Sequence, residues 1–67
     1  MPNDYGVYRE DQAGVPEWVA NLSPLTVGSA DNAIKWNEQD AISTATYLNS
    51  IGDGYTYFIG RVPKPHA

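Results

Sequence analysis

The sequence predicts a small α+β domain: a three-stranded antiparallel sheet, connected β-β-α-β, with one helix packed on one face. Three observations carry this. Two alternating runs, "YGVYRE" (5–10) and "VPEWVANL" (15–22), flank the turn-forming "DQAG". The stretch from Asn37 to Asn49 joins a capping residue to a stripe of small residues and reads as a helix. A Tyr- and Phe-rich run, "GYTYFIGRV" (54–62), reads as the closing strand.

The first two runs form a hairpin, with Gly14 supplying the backbone freedom its loop needs. Pro16 has no N–H for a ladder, so the second strand is expected to lie at an edge or to begin late. "SPLTVGSADN" (23–32) is rich in turn formers and reads as a loop, with Leu25 and Val27 tacked to the core. "AIKW" (33–36) fits either an extended stub or a turn of helix.

Asn37 is a good N-cap, and Glu38 and Asp40 suit the positive start of a helix. That helix is expected from residue 38 to Asn49, where the two glycines of "SIGDG" stop it. At 100° per residue, Ala41, Ala45, Leu48 and Ile42 share a stripe. Tyr47 falls nearly opposite, close to Asp40 and Ser43. A right-handed crossover through the helix sets the third strand beside the first, in order 2-1-3.

One helix covers only one face of such a sheet. Phe58, Gly60 and Val62 are expected to point at it, with Gly60 answering the Ala41 and Ala45 stripe. Tyr55, Tyr57 and Ile59 then lie on the open face, flanked by Tyr5 or Tyr8 and by Trp18. The reverse parity also leaves an aromatic or aliphatic row uncovered.

Sixty-seven residues make one domain. Its ordered core is expected over residues 5–62, and the Pro-rich tail at 63–67 is expected to be flexible. The net charge is −4, but all eight acids fall in residues 1–60, which hold only Arg9 and Lys35 as counter-charges. That balance repels phosphate, so direct nucleic-acid binding is disfavoured. No apolar run is long enough to span a bilayer. "MPNDYG" does not read as a signal peptide, and the absence of cysteine suits a reducing compartment. A cytoplasmic protein is expected.

No catalytic constellation emerges. The single histidine, His66, is next to last in the tail. The acid pairs Glu10/Asp11 and Glu38/Asp40 sit at a turn and at a helix start, where acids are expected on structural grounds. "SADNA" and "IGDGY" lack the alternating ligands of a calcium loop, and no phosphate-loop spacing is present. "NLS" (21–23) matches a glycosylation sequon, which has no bearing on a chain that is not exported. The reading is therefore a binder with no catalytic residue, metal or cofactor. Tyr and Trp are the usual anchors of binding hot spots. The candidate contacts are Tyr55, Tyr57 and Ile59 on the open sheet face, with Tyr47 and Asp40 on the outer helix face as a second patch.

Ala33 with Trp36, then Ala41, Ala45 and Leu48, then "YTYFIGRV" give a pattern over residues 33–62, about half the chain. In this pattern the chain resembles very small bacteriophage-encoded β-β-α-β proteins of the host-modulating type. The resemblance implies binding and inhibition of a host enzyme, such as RNA polymerase or a defence nuclease, in the host cytoplasm. It carries over no functional residue, because the shared positions are structural ones. The expected function is thus a small acidic protein-binding module, a virus-encoded inhibitor or modulator of a host protein with a basic surface. The alternative is a structural homodimer or minor assembly component that packs through its open aromatic faces. Mimicry of nucleic acid by the acids is a third reading.

Overall fold

The computed structural model describes residues 3–63. The expected tail, with Lys64 and His66, lies outside the described residues apart from Pro63. The elements are β1 (Tyr5–Glu10), β2 (Pro16–Leu22), β3 (Leu25–Gly28), a 3-10 turn (Ala30–Asn32), α1 (Glu38–Ile51) and β4 (Phe58–Arg61). The fold is α+β with one helix, but the sheet has four strands rather than three. All are antiparallel to their neighbours, in the order β3-β2-β1-β4. The closing strand does lie beside the first.

The added strand comes from the segment expected to be a loop. Leu22 pairs with Leu25 across a turn at Ser23 and Pro24, and Val19 pairs with Val27. Leu25 and Val27 are half-buried against the core, so they do more than tack a loop down. With β3 outside it, β2 is an interior strand, not an edge. Pro16 is tolerated because β2 begins there and because Pro16 stands opposite Glu10, a position that needs no ladder bond. The hydrogen bond that closes the hairpin runs one residue further out, from Asp11 N to Val15 O.

Beyond Val19 the pairing of β2 with β3 is irregular. Residues 34–36 take up the neighbouring backbone groups in an extended conformation. Ile34 N donates to Val19 O, and Trp36 exchanges two hydrogen bonds with Tyr5, at 2.7 and 3.0 Å. The stretch before the helix is thus an extended stub, which settles the ambiguity of "AIKW".

Asn37 caps α1 by accepting from Asp40 N at 2.8 Å, as its side chain and position predict. The helix runs two residues past Asn49 to Ile51 and stops at Gly52, which adopts the left-handed conformation (φ 75°). Ala41, Ala45 and Leu48 are buried, but Ile42 is exposed rather than part of that stripe. The two alanines bring α1 close over β1 and β4, where Val7 and Val19 complete the core. Thr44 and Thr46 direct their hydroxyls to carbonyls four residues back, so these polar side chains are satisfied locally.

The parity of the last strand is the reverse of the expected one. The run at 54–57 is not part of the sheet, and β4 begins only at Phe58. Tyr57, 3% exposed, enters the core under the helix, and half-buried Ile59 packs against that core on the same side. Phe58, Gly60 and Val62 face away from the helix. Gly60 does not answer the alanines. It pairs with Gly6 across β1 and β4, and the side chains of Trp18 and Tyr8 lie over this glycine pair.

This packing leaves no room at Gly6. A Cβ there would stand 2.7 Å from Val62 Cγ2 and 2.9 Å from the Trp18 ring, whereas at Gly60 its nearest neighbour would be Tyr8 at 3.4 Å. Gly6→Ala is therefore expected to destabilise the fold by about 1–3 kcal/mol. Gly60→Ala should cost clearly less. Urea unfolding followed by tryptophan fluorescence measures both, and equal losses would contradict the close approach of Trp18 to Gly6.

Candidate functional site

Two surfaces collect the side chains with binding potential. The first is the sheet face turned away from the helix. Tyr8 pairs with Trp18 on one side and with Phe58 on the other, so three aromatic residues stand abreast across β2, β1 and β4. Ring centroids are 4.9 Å apart for Tyr8 and Trp18 and 5.6 Å apart for Tyr8 and Phe58, both tilted. Such spacing is favourable for aromatic pairs. Trp18 is the foundation of this rung, at 7% exposure, while Phe58 remains 42% exposed.

Charge on this face follows from parity. In the two ladders of β1, the residues that share it are Gly6, Tyr8, Glu10, Pro16, Trp18, Phe58 and Gly60, of which Glu10 alone is charged, and uncharged Gly28 lies beyond Trp18. Arg9 and Arg61 alternate to the helix side.

The second surface surrounds Arg9. Its Nε donates to Glu17 Oε1 at 3.3 Å across the hairpin, and its Nη1 donates to the Tyr57 hydroxyl at 3.1 Å. The guanidinium lies 3.8 Å from the centroid of the Tyr55 ring, a cation–π contact. The Tyr57 hydroxyl donates to Asp53 Oδ2 at 2.7 Å, and Asp53 Oδ1 accepts from Tyr55 N. Burial first, and then the hydrogen bond to Asp53, push the Tyr57 phenol up, against the opposing pull of Arg9. The Tyr57 hydroxyl, followed by the Tyr55 N–H, holds the Asp53 carboxyl below the usual carboxylate range.

Asn49 fixes Tyr57 from the helix. Its amide accepts from Tyr57 N at 2.8 Å and donates to Tyr57 O at 3.1 Å. It stands where the backbone of a neighbouring strand would otherwise be. Beside this network, a cavity of about 430 Å³ opens between the β1–β2 turn and Gly54–Tyr55. Arg9, Glu10, Asp11, Gln12 and Glu17 form its other walls.

The residues expected to bind are thus redistributed. Tyr57 is a core residue and Ile59 packs under the helix, so neither belongs to an open face. Tyr55 is exposed, but on the helix side and stacked with Arg9. Tyr47, 63% exposed, and Asp40 do lie on the outer surface of α1. No hydrogen bond among the described residues joins the two, and Asp40 also accepts from the Asn37 side chain at the helix cap. Trp18 and Tyr8 do reach the open face, where the sequence set them as flanking residues. Phe58, assigned to the wrong side, belongs with them. Arg9, which organises the network with Tyr55, Tyr57 and Glu17, was not singled out, although an arginine set among tyrosines and acids was a signal available in the sequence.

Among the described residues, no three His, Cys, Asp or Glu side chains come together as metal ligands, and no helix is long and apolar enough to cross a membrane. Compared with protein-family models, curated proteins and solved structures, the chain matches none.

The Tyr57 network makes stability depend on pH at both extremes. Asp53 holds its proton less tightly when folded, so its contribution is present above the unfolded carboxylate range and is lost as pH falls through the lowered value. Tyr57 holds its proton more tightly when folded. Its contribution is present below about pH 10, the ordinary tyrosine value, and is lost as pH rises through the raised one. Tyr57→Phe keeps the ring and removes the hydroxyl. It is expected to flatten both limbs of the stability–pH curve, measured by denaturant unfolding across pH. Limbs unchanged from wild type would mean that the hydroxyl contributes to neither.

Proposed function

We propose that this chain is a protein-binding module that works through the sheet face bearing Tyr8, Trp18 and Phe58. One observation carries the reading: three aromatic side chains stand side by side on the face opposite the helix, with Phe58 42% exposed. An aromatic row on rigid strands, half-buried at Tyr8 and exposed at Phe58, loses little conformational entropy on binding and presents an aromatic edge for contact. The net charge of −4, with Glu10 the one charge among the paired strand residues of this face, favours a partner with a basic surface. The same charge works against nucleic acid as a direct ligand.

The resemblance over residues 33–62 supports a more specific form of the reading: a virus-encoded inhibitor or modulator of a host protein. The module would then act in the host cytoplasm, where a chain without cysteine needs no oxidising environment. Self-association through the same face is disfavoured by charge, because it brings together two chains of net charge −4.

Light scattering over a tenfold concentration range tests which partner the face takes. The expected mass is that of the 7.3 kDa monomer throughout. A stable dimer that Phe58→Asp dissociates would show that the face is used for self-association and would overturn the heterologous reading. With a monomer established, Phe58→Asp is expected to abolish retention of any protein that the immobilised wild-type chain selects from a bacterial lysate. Undiminished retention by the folded variant would remove this face from the reading.

A further inference from the structure

Asp53 and Gly54 form the only Asp–Gly step of the sequence, which holds no Asn–Gly step. They lie in the turn that follows α1 and leads to Tyr57, and both are exposed. In an Asp–Gly step the backbone nitrogen after the aspartate can attack the side-chain carbon, because glycine sets no side chain beside that nitrogen. A Cβ at Gly54 would meet nothing within 4 Å, so water and a cyclic intermediate have room there. Gly54 N donates to no acceptor among the described residues, and a new bond at that nitrogen breaks no hydrogen bond with them.

Two contacts oppose that attack. The Tyr57 hydroxyl donates to Asp53 Oδ2 at 2.7 Å, and Tyr55 N donates to Oδ1 at 3.0 Å. With both oxygens engaged, Cγ is held in place and the ionised form is favoured. A carboxylate is a poor electrophile: its charge repels a nucleophile, and its oxygen leaves as water only after protonation. The lowered Asp53 carboxyl, due first to the Tyr57 hydroxyl, acts in the same protective direction. Tyr57 is itself held firmly. Its ring is buried, Asn49 bonds its backbone on both sides, and Arg9 Nη1 donates to its oxygen at 3.1 Å.

We propose that Asp53–Gly54 is a site of isoaspartate formation, which the Tyr57 hydroxyl holds shut in the folded chain. In the first step Gly54 N bonds to Asp53 Cγ. The Cγ–O bond breaks, the nitrogen gives up its proton, and one water leaves a succinimide ring. Water then adds to either ring carbonyl. Opening at Cγ restores aspartate; opening at the backbone carbonyl leaves the chain running through Cβ and Cγ. One water is lost and one gained, so no oxidant or cofactor takes part. The product lengthens the main chain by one carbon and sets the carboxylate directly on Cα. Tyr57 then loses an acceptor that a buried phenol needs, and the modified chain is less stable than the original.

Incubating the full-length chain in ¹⁸O-labelled water at neutral pH tests this, because each ring opening places one ¹⁸O at the aspartyl residue. Proteolysis in ordinary water and tandem mass spectrometry then locate the label, and an isoaspartyl methyltransferase counts the isomerised product. Label and isoaspartate are expected at Asp53, while Asp4, Asp11, Asp31 and Asp40 stay unlabelled. Tyr57→Phe should speed the uptake about fivefold, the scale of one hydrogen bond to an exposed charged group. Gly60→Ala, which weakens the fold away from Asp53, should keep the wild-type rate. Equal rates in wild type and Tyr57→Phe would overturn the role of the hydroxyl. So would an acceleration in Gly60→Ala as large as in Tyr57→Phe, since general loosening would then govern the step. No label at Asp53 in any of the three chains would overturn the site itself.

Discussion

Gly6 and Gly60 face each other across β1 and β4, and Trp18 from β2 fills the space their missing side chains leave. Most of the remaining arrangement depends on that contact. A chain of 67 residues with one helix has two sheet faces and one element to cover them. The second face would be fully wet or would need a further layer. Here the sheet closes part of it from within. The indole packs over the glycine pair, Val62 crowds Gly6 from beside it, and Trp18, Val62 and Gly6 are all buried. Tyr8 is thereby held upright between Trp18 and Phe58, so the exposed aromatic edge rests on a rigid base.

The helix side solves a different problem. Ala41 and Ala45 let α1 approach β1 closely, which leaves space beyond them for one large residue, Tyr57. A tyrosine can be a core residue only if its hydroxyl finds partners. Arg9 and Asp53 supply them, and Asn49 satisfies the backbone of Tyr57 where it has left the sheet. Burying Tyr57 has a consequence on the opposite strand. The chain before Phe58 is drawn under the helix instead of continuing the ladder, so β4 ends at Tyr8 and leaves Glu10 without a partner strand on that side.

The hairpin, the Asn37 cap, the glycine stop and the placing of the last strand beside the first were legible because each depends on local chemistry or on a strong topological rule. β3 was not, since its four residues include Thr26 and Gly28 and sit among turn formers that masked two inward-pointing side chains, Leu25 and Val27. The parity of β4 could not be read by alternation, because both of its faces are apolar. Matching Gly60 to the alanines was reasonable in size, but a glycine also accepts an indole, and Trp18 lies two strands away in the sheet. The candidate site was misread for the same reason. Tyr57 looked like a surface anchor because its partners, Arg9 and Asp53, are remote from one another in sequence and meet only after folding.

Edge strands are the usual route to indiscriminate association, and both edges of this sheet are short. β3 has four residues and follows Pro24, and β4 has four residues and precedes Pro63. On the outer side of β4, the groups of Ile59 and Arg61 turn outward by the same alternation, but Asn49 has already taken those of Tyr57. Both edges therefore offer only a short length for pairing with another sheet. Under the proposed reading, contact then falls to the aromatic face rather than to a sheet edge. The aromatic rung supplies area without charge, and Glu10 supplies charge at its end.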